Sequence, residues 1–162
     1  MEHGIKGLEQ SINRLERSIN EIGRTFNESA QIGYLNPLRD SLHYLNLLSK
    51  EFNYRFHVIT SLSKDLCAQK LRIYNLKSVF GENVFDKFLF ADTGQDKNHL
   101  LKDYEGSNYI WVEDKPINAE DGLKYGLQCF LMDHAYNQEY VNPDVQRVNS
   151  WYQIAQCLLK VS

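Results

Sequence analysis

Apolar residues Ile5, Leu8, Ile12, Leu15, Ile19, Ile22 and Phe26 recur at alternating spacings of three and four. That is a heptad seam, with isoleucine mostly at one core position and leucine at the other. It predicts a long amino-terminal helix that packs at a shallow angle against a second one. Ser11, Ser18 and Thr25 line one flank and Glu9 and Glu16 the other, so the opposite charges that usually specify a parallel partner are missing. Small flanking residues admit any helix, and packing within the chain is expected ahead of self-association. Residues 27–33 are polar and form the candidate hinge.

Beyond the hinge, Asn36-Pro37 predicts a helix start, an N-cap followed by proline at the first helical position. Leu38, Leu42, Leu45 and Leu48 then supply one apolar face, ending near Glu51. Residues 56–60 read as a short strand ending in Thr60 and Ser61, and Ser61 or Ser63 caps the helix through Leu66, Leu71 and Tyr74. His57 is expected to be packed within that strand. A second apolar run, residues 88–91, precedes a loop over residues 92–97 and a short helix over residues 98–104. Residues 109–112 (Tyr-Ile-Trp-Val) run straight into Glu113-Asp114-Lys115-Pro116. So short an unbroken apolar run predicts a strand buried on both faces, as in a parallel sheet covered by helices. Residues 119–125 read as a helix and residues 126–132 as the last strand. Val145, Val148, Trp151, Ile154, Ala155 and Leu158 form the face of a closing helix.

Composition narrows the class without naming it. The chain has 162 residues, 43% hydrophobic and 24% charged, enough for one well-cored domain and short for two. A net charge of -3 and the absence of a basic stripe argue against duplex nucleic acid as the main partner. Cys67, Cys129 and Cys157 are widely spaced among apolar neighbours and read as reduced core cysteines of a cytoplasmic protein. No signal peptide is evident, and no apolar run approaches the roughly 20 residues of a membrane span.

The candidate chemistry sits at strand ends. Glu113 and Asp114 would lie at the carboxyl end of their strand, where open α/β sheets bind ligands. Adjacent acids repel, so such a pair is a solvated turn or is stabilised by a cation such as Mg²⁺ or by a lysine. Lys97, at a loop-to-helix boundary, can neutralise carboxylates and hold a phosphate oxygen. A hydroxyl at the end of the strand through Thr60, beside a helix amino terminus, can bind phosphate. His134 reads as a loop residue.

Several pieces in order carry a likeness. They are the strand ending in Thr60-Ser61, then Phe80-Gly81-Glu82-Asn83-Val84-Phe85-Asp86-Lys87-Phe88-Leu89-Phe90, then Asp96-Lys97, then Tyr109-Ile110-Trp111-Val112-Glu113-Asp114-Lys115-Pro116. Over roughly residues 37–160 this resembles the haloacid dehalogenase (HAD) superfamily, and most of all its 5'(3')-deoxyribonucleotidase-like branch. The resemblance implies a three-layer, Rossmann-like α/β core over residues 36–162, preceded by a helical cap or dimerisation segment over residues 1–35. It implies Mg²⁺-dependent hydrolysis of a nucleotide-like phosphomonoester. Thr60 and Ser61 would bind the phosphoryl group, Lys97 would be catalytic, and Glu113 and Asp114 would serve the metal. Phosphoryl transfer is mostly positioning and charge neutralisation, which suits these residue types.

The same resemblance exposes a gap. The family's nucleophile and general acid are two aspartates, Asp-x-Asp, after an apolar strand near the amino terminus, and this sequence contains no such motif. Asp40 precedes Thr60 but falls in the leucine-patterned helix, and Asp92-Thr93-Gly94 lacks the second acid. In the family that strand lies between those ending in Thr60 and Asp114. Those two must therefore pair directly, or another chain must fill the place, because buried ladder groups are not left unpaired. Two expectations follow: part of a longer phosphatase, or a complete HAD-derived protein used for binding or assembly through its heptad helix. Little or no activity is expected of the chain alone. An unrelated flavodoxin-like α/β domain is a third alternative.

Overall fold

The computed structural model describes residues 2–159, with side chains from Ser11 onward, so Ile5 and Leu8 of the heptad lie outside the described side chains. The order is α1 (Glu2–Asn27), α2 (Ser41–Glu51), β1 (Phe56–Ser61), α3 (Leu66–Phe80), β2 (Phe85–Ala91), α4 (Asn98–Leu101), β3 (Ile110–Glu113), α5 (Pro116–Lys124), β4 (Gln128–Met132), β5 (Val145–Val148) and α6 (Trp151–Leu159). No helix among the described residues is long and apolar enough to cross a membrane.

Every strand pair is parallel, yet the strands form two sheets, β1-β2 and β3-β4-β5. The α/β class follows from the sequence as expected. The single sheet does not form: among the described residues β1 and β3 neither pair directly nor share a partner, so each keeps a ladder edge without a strand.

Side chains bridge the two sheets. Ile59 of β1 joins Trp111 of β3 and Cys129 and Leu131 of β4 in one cluster, closed by Leu101 of α4 and Ala119 of α5. On the other face of the larger sheet, Phe130, Met132 and Val148 meet Ile154 of α6. Trp151 packs against both that cluster and the one built by Leu45, Leu76, Phe80 and Phe85 under the smaller sheet. Polar links reinforce this. Asp40 accepts the Trp151 and Tyr152 amides at 2.9 Å each, capping α6 from over a hundred residues away.

Several local expectations are corrected. Helix α2 starts at Ser41, after Arg39 takes a left-handed φ of 53°, so Asn36-Pro37 is not its first turn and Asp40 lies before it. Neither Ser61 nor Ser63 caps α3; Asp65 does, accepting from the Cys67 and Ala68 amides. Pro116 opens α5 at its first turn. Val145 and Val148 belong to a fifth strand, and the closing helix begins only at Trp151. Cys67 and Cys157 are exposed and only Cys129 is buried; all three are free thiols. His57 is exposed, its Nδ1 2.8 Å from the Tyr104 hydroxyl.

The stretch after α1 is tied down. Residues Ala30–Tyr34 form a 3-10 turn whose Ile32 packs against Leu62 and Ala68. The Asn27 amide donates to the Leu62 carbonyl at 2.7 Å. The described part of the α1 seam is left outward: Ile12, Leu15, Ile19, Ile22 and Phe26 are 46–70% exposed, so these five do not take up the expected packing within the chain.

Candidate phosphate and carboxylate site

The sequence places its candidates at the carboxyl ends of β1 and β3, and one loop, residues 92–97, reaches both. The Ser61 hydroxyl donates to the Gln95 carbonyl at 3.2 Å, and Lys97, at the end of the same loop, pairs with Glu113. At the opposite end of the strands, Tyr104 contacts His57 of β1 and the ring of Tyr109, just before β3. Both ends of β1 are thus linked to the segments that lead into β3.

Glu113 is the buried centre of the group. One carboxylate oxygen accepts from Lys97 and from the Asn118 amide at 3.2 Å; the other accepts from the backbone N–H groups of Asp114 and Lys115 at 3.1 and 3.5 Å. Those amides lie just ahead of α5 and outside its ladder, so Glu113 supplies an acceptor that the helix does not. The side chains of Lys97 and Glu113 are 13% and 4% exposed, which makes this a desolvated pair rather than a surface contact. The Lys97 ammonium also lies 5.5 Å from the centre of the Trp111 ring, and Trp111 donates its indole N–H to the Asn118 carbonyl at 2.9 Å.

Asp114 points elsewhere. Its carboxylate accepts the Tyr136 hydroxyl, and its carbonyl accepts the Asn137 amide at 2.8 Å. Burial works to raise the Asp114 pKa, but hydrogen bonds with Tyr136, Glu113 and its own backbone, together with the Lys97 charge, outweigh it and hold the carboxyl below its ordinary value. Tyr136 shifts upward, by burial first and by its bond to Asp114 second. The ring of His134 stacks on Tyr136 with centroids 5.2 Å apart. Arg147 braces this loop, donating to Asp133, to the Asn137 side chain and carbonyl, and to the Tyr140 carbonyl, all within 2.8 Å.

Lys97, Glu113 and Asp114 thus meet in one group, and Ser61 joins it through the loop. Thr60, half-buried in β1 opposite Phe90, has no hydrogen bond to Lys97 or Asp114 among the described residues. Asp92, at the end of β2, is flanked by Arg24 at 3.8 Å and Lys64 at 3.7 Å. A depression of about 480 Å³ opens beside the loop, lined by Gly94, Gln95, Asp96 and His99.

The donor set is a partial fit to Mg²⁺. Asp114 is an ionised carboxylate at a strand end and suits a hard cation. Both oxygens of Glu113 are already engaged by donors within the chain, so it does not suit a direct ligand. No group of three His, Cys, Asp or Glu residues with metal-holding geometry occurs among the described residues. Tyr136, Asn137, Asn118 and Arg147 were not anticipated from the sequence. Only Asn118 carried a local signal, an amide in the first turn of the helix that follows the acids.

Compared with family models and with curated proteins, the chain matches none.

Proposed function

We propose that this chain carries most of the core of a HAD-like phosphomonoesterase for nucleotide-like substrates, with little or no turnover by itself. One observation supports this reading above the rest: β1 and β3 each keep an unpaired edge among the described residues, and the loop that meets Ser61 at the end of β1 also carries Lys97 to Glu113 at the end of β3. A three-layer, Rossmann-like core would result if a parallel strand entered between them. An Asp-x-Asp at that strand's end would stand beside Asp114, Lys97 and the Thr60-Ser61 turn.

In this reading Asp114 and the entering aspartates would hold Mg²⁺, which would supply charge neutralisation at the phosphoryl oxygens. Glu113 holds Lys97 and the Asp114 and Lys115 amides instead of the metal. Lys97 keeps N–H donors beyond the one given to Glu113 and can offer them to a phosphate oxygen. The HAD-derived binding or assembly alternative draws on a different observation, the saturation of Glu113 by donors from its own chain.

The test is turnover of nucleoside monophosphates with Mg²⁺, by this chain and by a form carrying an apolar strand and Asp-x-Asp joined ahead of α1 through a flexible linker. The chain alone should be inactive, and the extended form should gain activity that Lys97→Ala removes. A folded extended form without activity refutes the lineage. Turnover by the unextended chain that Lys97→Ala abolishes refutes its inactivity.

A further inference from the structure

The amino-terminal helix presents a surface that the proposed phosphatase core does not use. Five consecutive seam residues of α1, from Ile12 to Phe26, are 46–70% exposed. The helix is held to the domain by a different side. The Asn27 amide bonds the Leu62 carbonyl at 2.7 Å and the Thr93 hydroxyl at 3.2 Å, and Arg24 lies 3.8 Å from Asp92. Gly23 sits close against Thr93. None of these residues is a core position of the seam, and only Gly23 lies on its flank, so a second helix can lie along the seam from Ile12 to Ile22 while the first stays attached.

We infer that α1 pairs with α1 of a second copy as a parallel, in-register, two-stranded coiled coil. The seam itself argues for this occupant. Ile5, Ile12 and Ile19, followed by Phe26, occupy one core position, and Leu8 and Leu15, followed by Ile22, the other. β-Branched residues at the first position with leucine at the second favour two parallel strands over three or four. The flanks choose the direction. In a parallel pair Ser11, Ser18 and Thr25 of one helix face the flank bearing Glu9, Glu16 and Gly23 of the other, and no like charges meet. In an antiparallel pair the glutamate flanks face each other across the seam, which costs stability. The periodic pattern runs from Ile5 to Phe26, about the three to four heptads such a pair requires.

The experiment is sedimentation equilibrium of the full chain, joined to site-specific oxidation. The expected mass is twice the 19.0 kDa of one chain. Ile12→Asp with Ile19→Asp should return it to the monomer with an unchanged circular dichroism spectrum, because both side chains are already exposed in the single chain. In a Cys67→Ser, Cys157→Ser background, Ile12→Cys and Ile22→Cys should each cross-link to the same residue of the second copy, since like core positions of a parallel pair come within disulfide reach. A monomeric mass at 100 μM overturns the inference. So does a dimer that survives both aspartates, or a dimer that fails to cross-link at residues 12 and 22.

Discussion

Gly122→Ala puts the packing between α5 and β3 under direct test. In an unobstructed helix interior this change stabilises by about 0.8–1.0 kcal/mol, because alanine is the better helix former. At Gly122 the added methyl would stand 2.5 Å from Cδ1 of Trp111 and 2.8 Å from Sγ of Cys129. Carbon contacts settle at about 3.5–4.0 Å, so the neighbours or the helix must yield by about 1 Å. Neither is free to do so. Cδ1 adjoins the indole nitrogen that bonds the Asn118 carbonyl, and the Gly122 carbonyl accepts the Tyr125 and Leu127 amides that close the turn into β4. Overpacking of this kind typically costs about 1–3 kcal/mol. Loss of the indole bond adds about 1 kcal/mol, which roughly cancels the propensity gain. The net expectation is a loss of about 1–3 kcal/mol, read as a lower urea midpoint at unchanged slope. Gly23→Ala supplies the contrast. Its methyl would meet Thr93 at an ordinary 3.6 Å, so that change should be neutral or stabilising. Gly122→Ala that stabilises as much as Gly23→Ala would refute the packing argument.

Lys97→Met should cost about 3–5 kcal/mol by leaving Glu113 buried without its cation, and adding Glu113→Gln should recover part of that loss. Additive costs in the double-mutant cycle would show that the pair is uncoupled. Asp114, and Asp133 through its bonds to Arg147 and Gln138, have folded pKa values below the ordinary 3.8. Their contribution is therefore complete above the unfolded value and is lost as pH falls through the folded one, so urea midpoints should drop below about pH 4. Tyr136→Phe should move the Asp114 part of that loss to higher pH; an unchanged acid limb counts against the bond. Thiol titration of the native chain should show two fast groups, Cys67 and Cys157, and one slow group. Burial pushes Cys129 up to about 11, so its reactive thiolate is scarce, and three equally fast thiols would contradict its placement.

What the sequence made legible was local. Residues 56–60, 88–91 and 109–112 announced strands because short apolar runs stand between turn residues. Spacing misled where two periods coincide. Val145, Val148 and Trp151 fall three apart, which suits a helix face, yet the first two lie in a four-residue strand beside β4. The Asn36-Pro37 signal lost to a distant demand, since Asp40 is held in place by the α6 amides. Apolar neighbours around Cys67 and Cys157 said nothing about which side of a helix each occupies. At the site, the nearness of Lys97 to the acids could be read from its position before β3. The partners of Asp114 could not, because Tyr136 and Asn137 arrive from a different strand end and only the tertiary fold brings them there.

The division of the sheet has a consequence for solubility. One five-stranded sheet has two edges; two separate sheets have four, and the added pair belongs to β1 and β3. An unpaired strand edge is a template for another chain, and proteins usually blunt it with charge, proline or a covering element. Between Phe56 and Ser61, β1 carries no lysine, arginine or proline, and its polar side chains are His57 and two hydroxyls. Loosening of the Trp151 and Tyr104 bridges would bare both added edges together, so aggregation should begin from this seam between the halves before either half has unfolded.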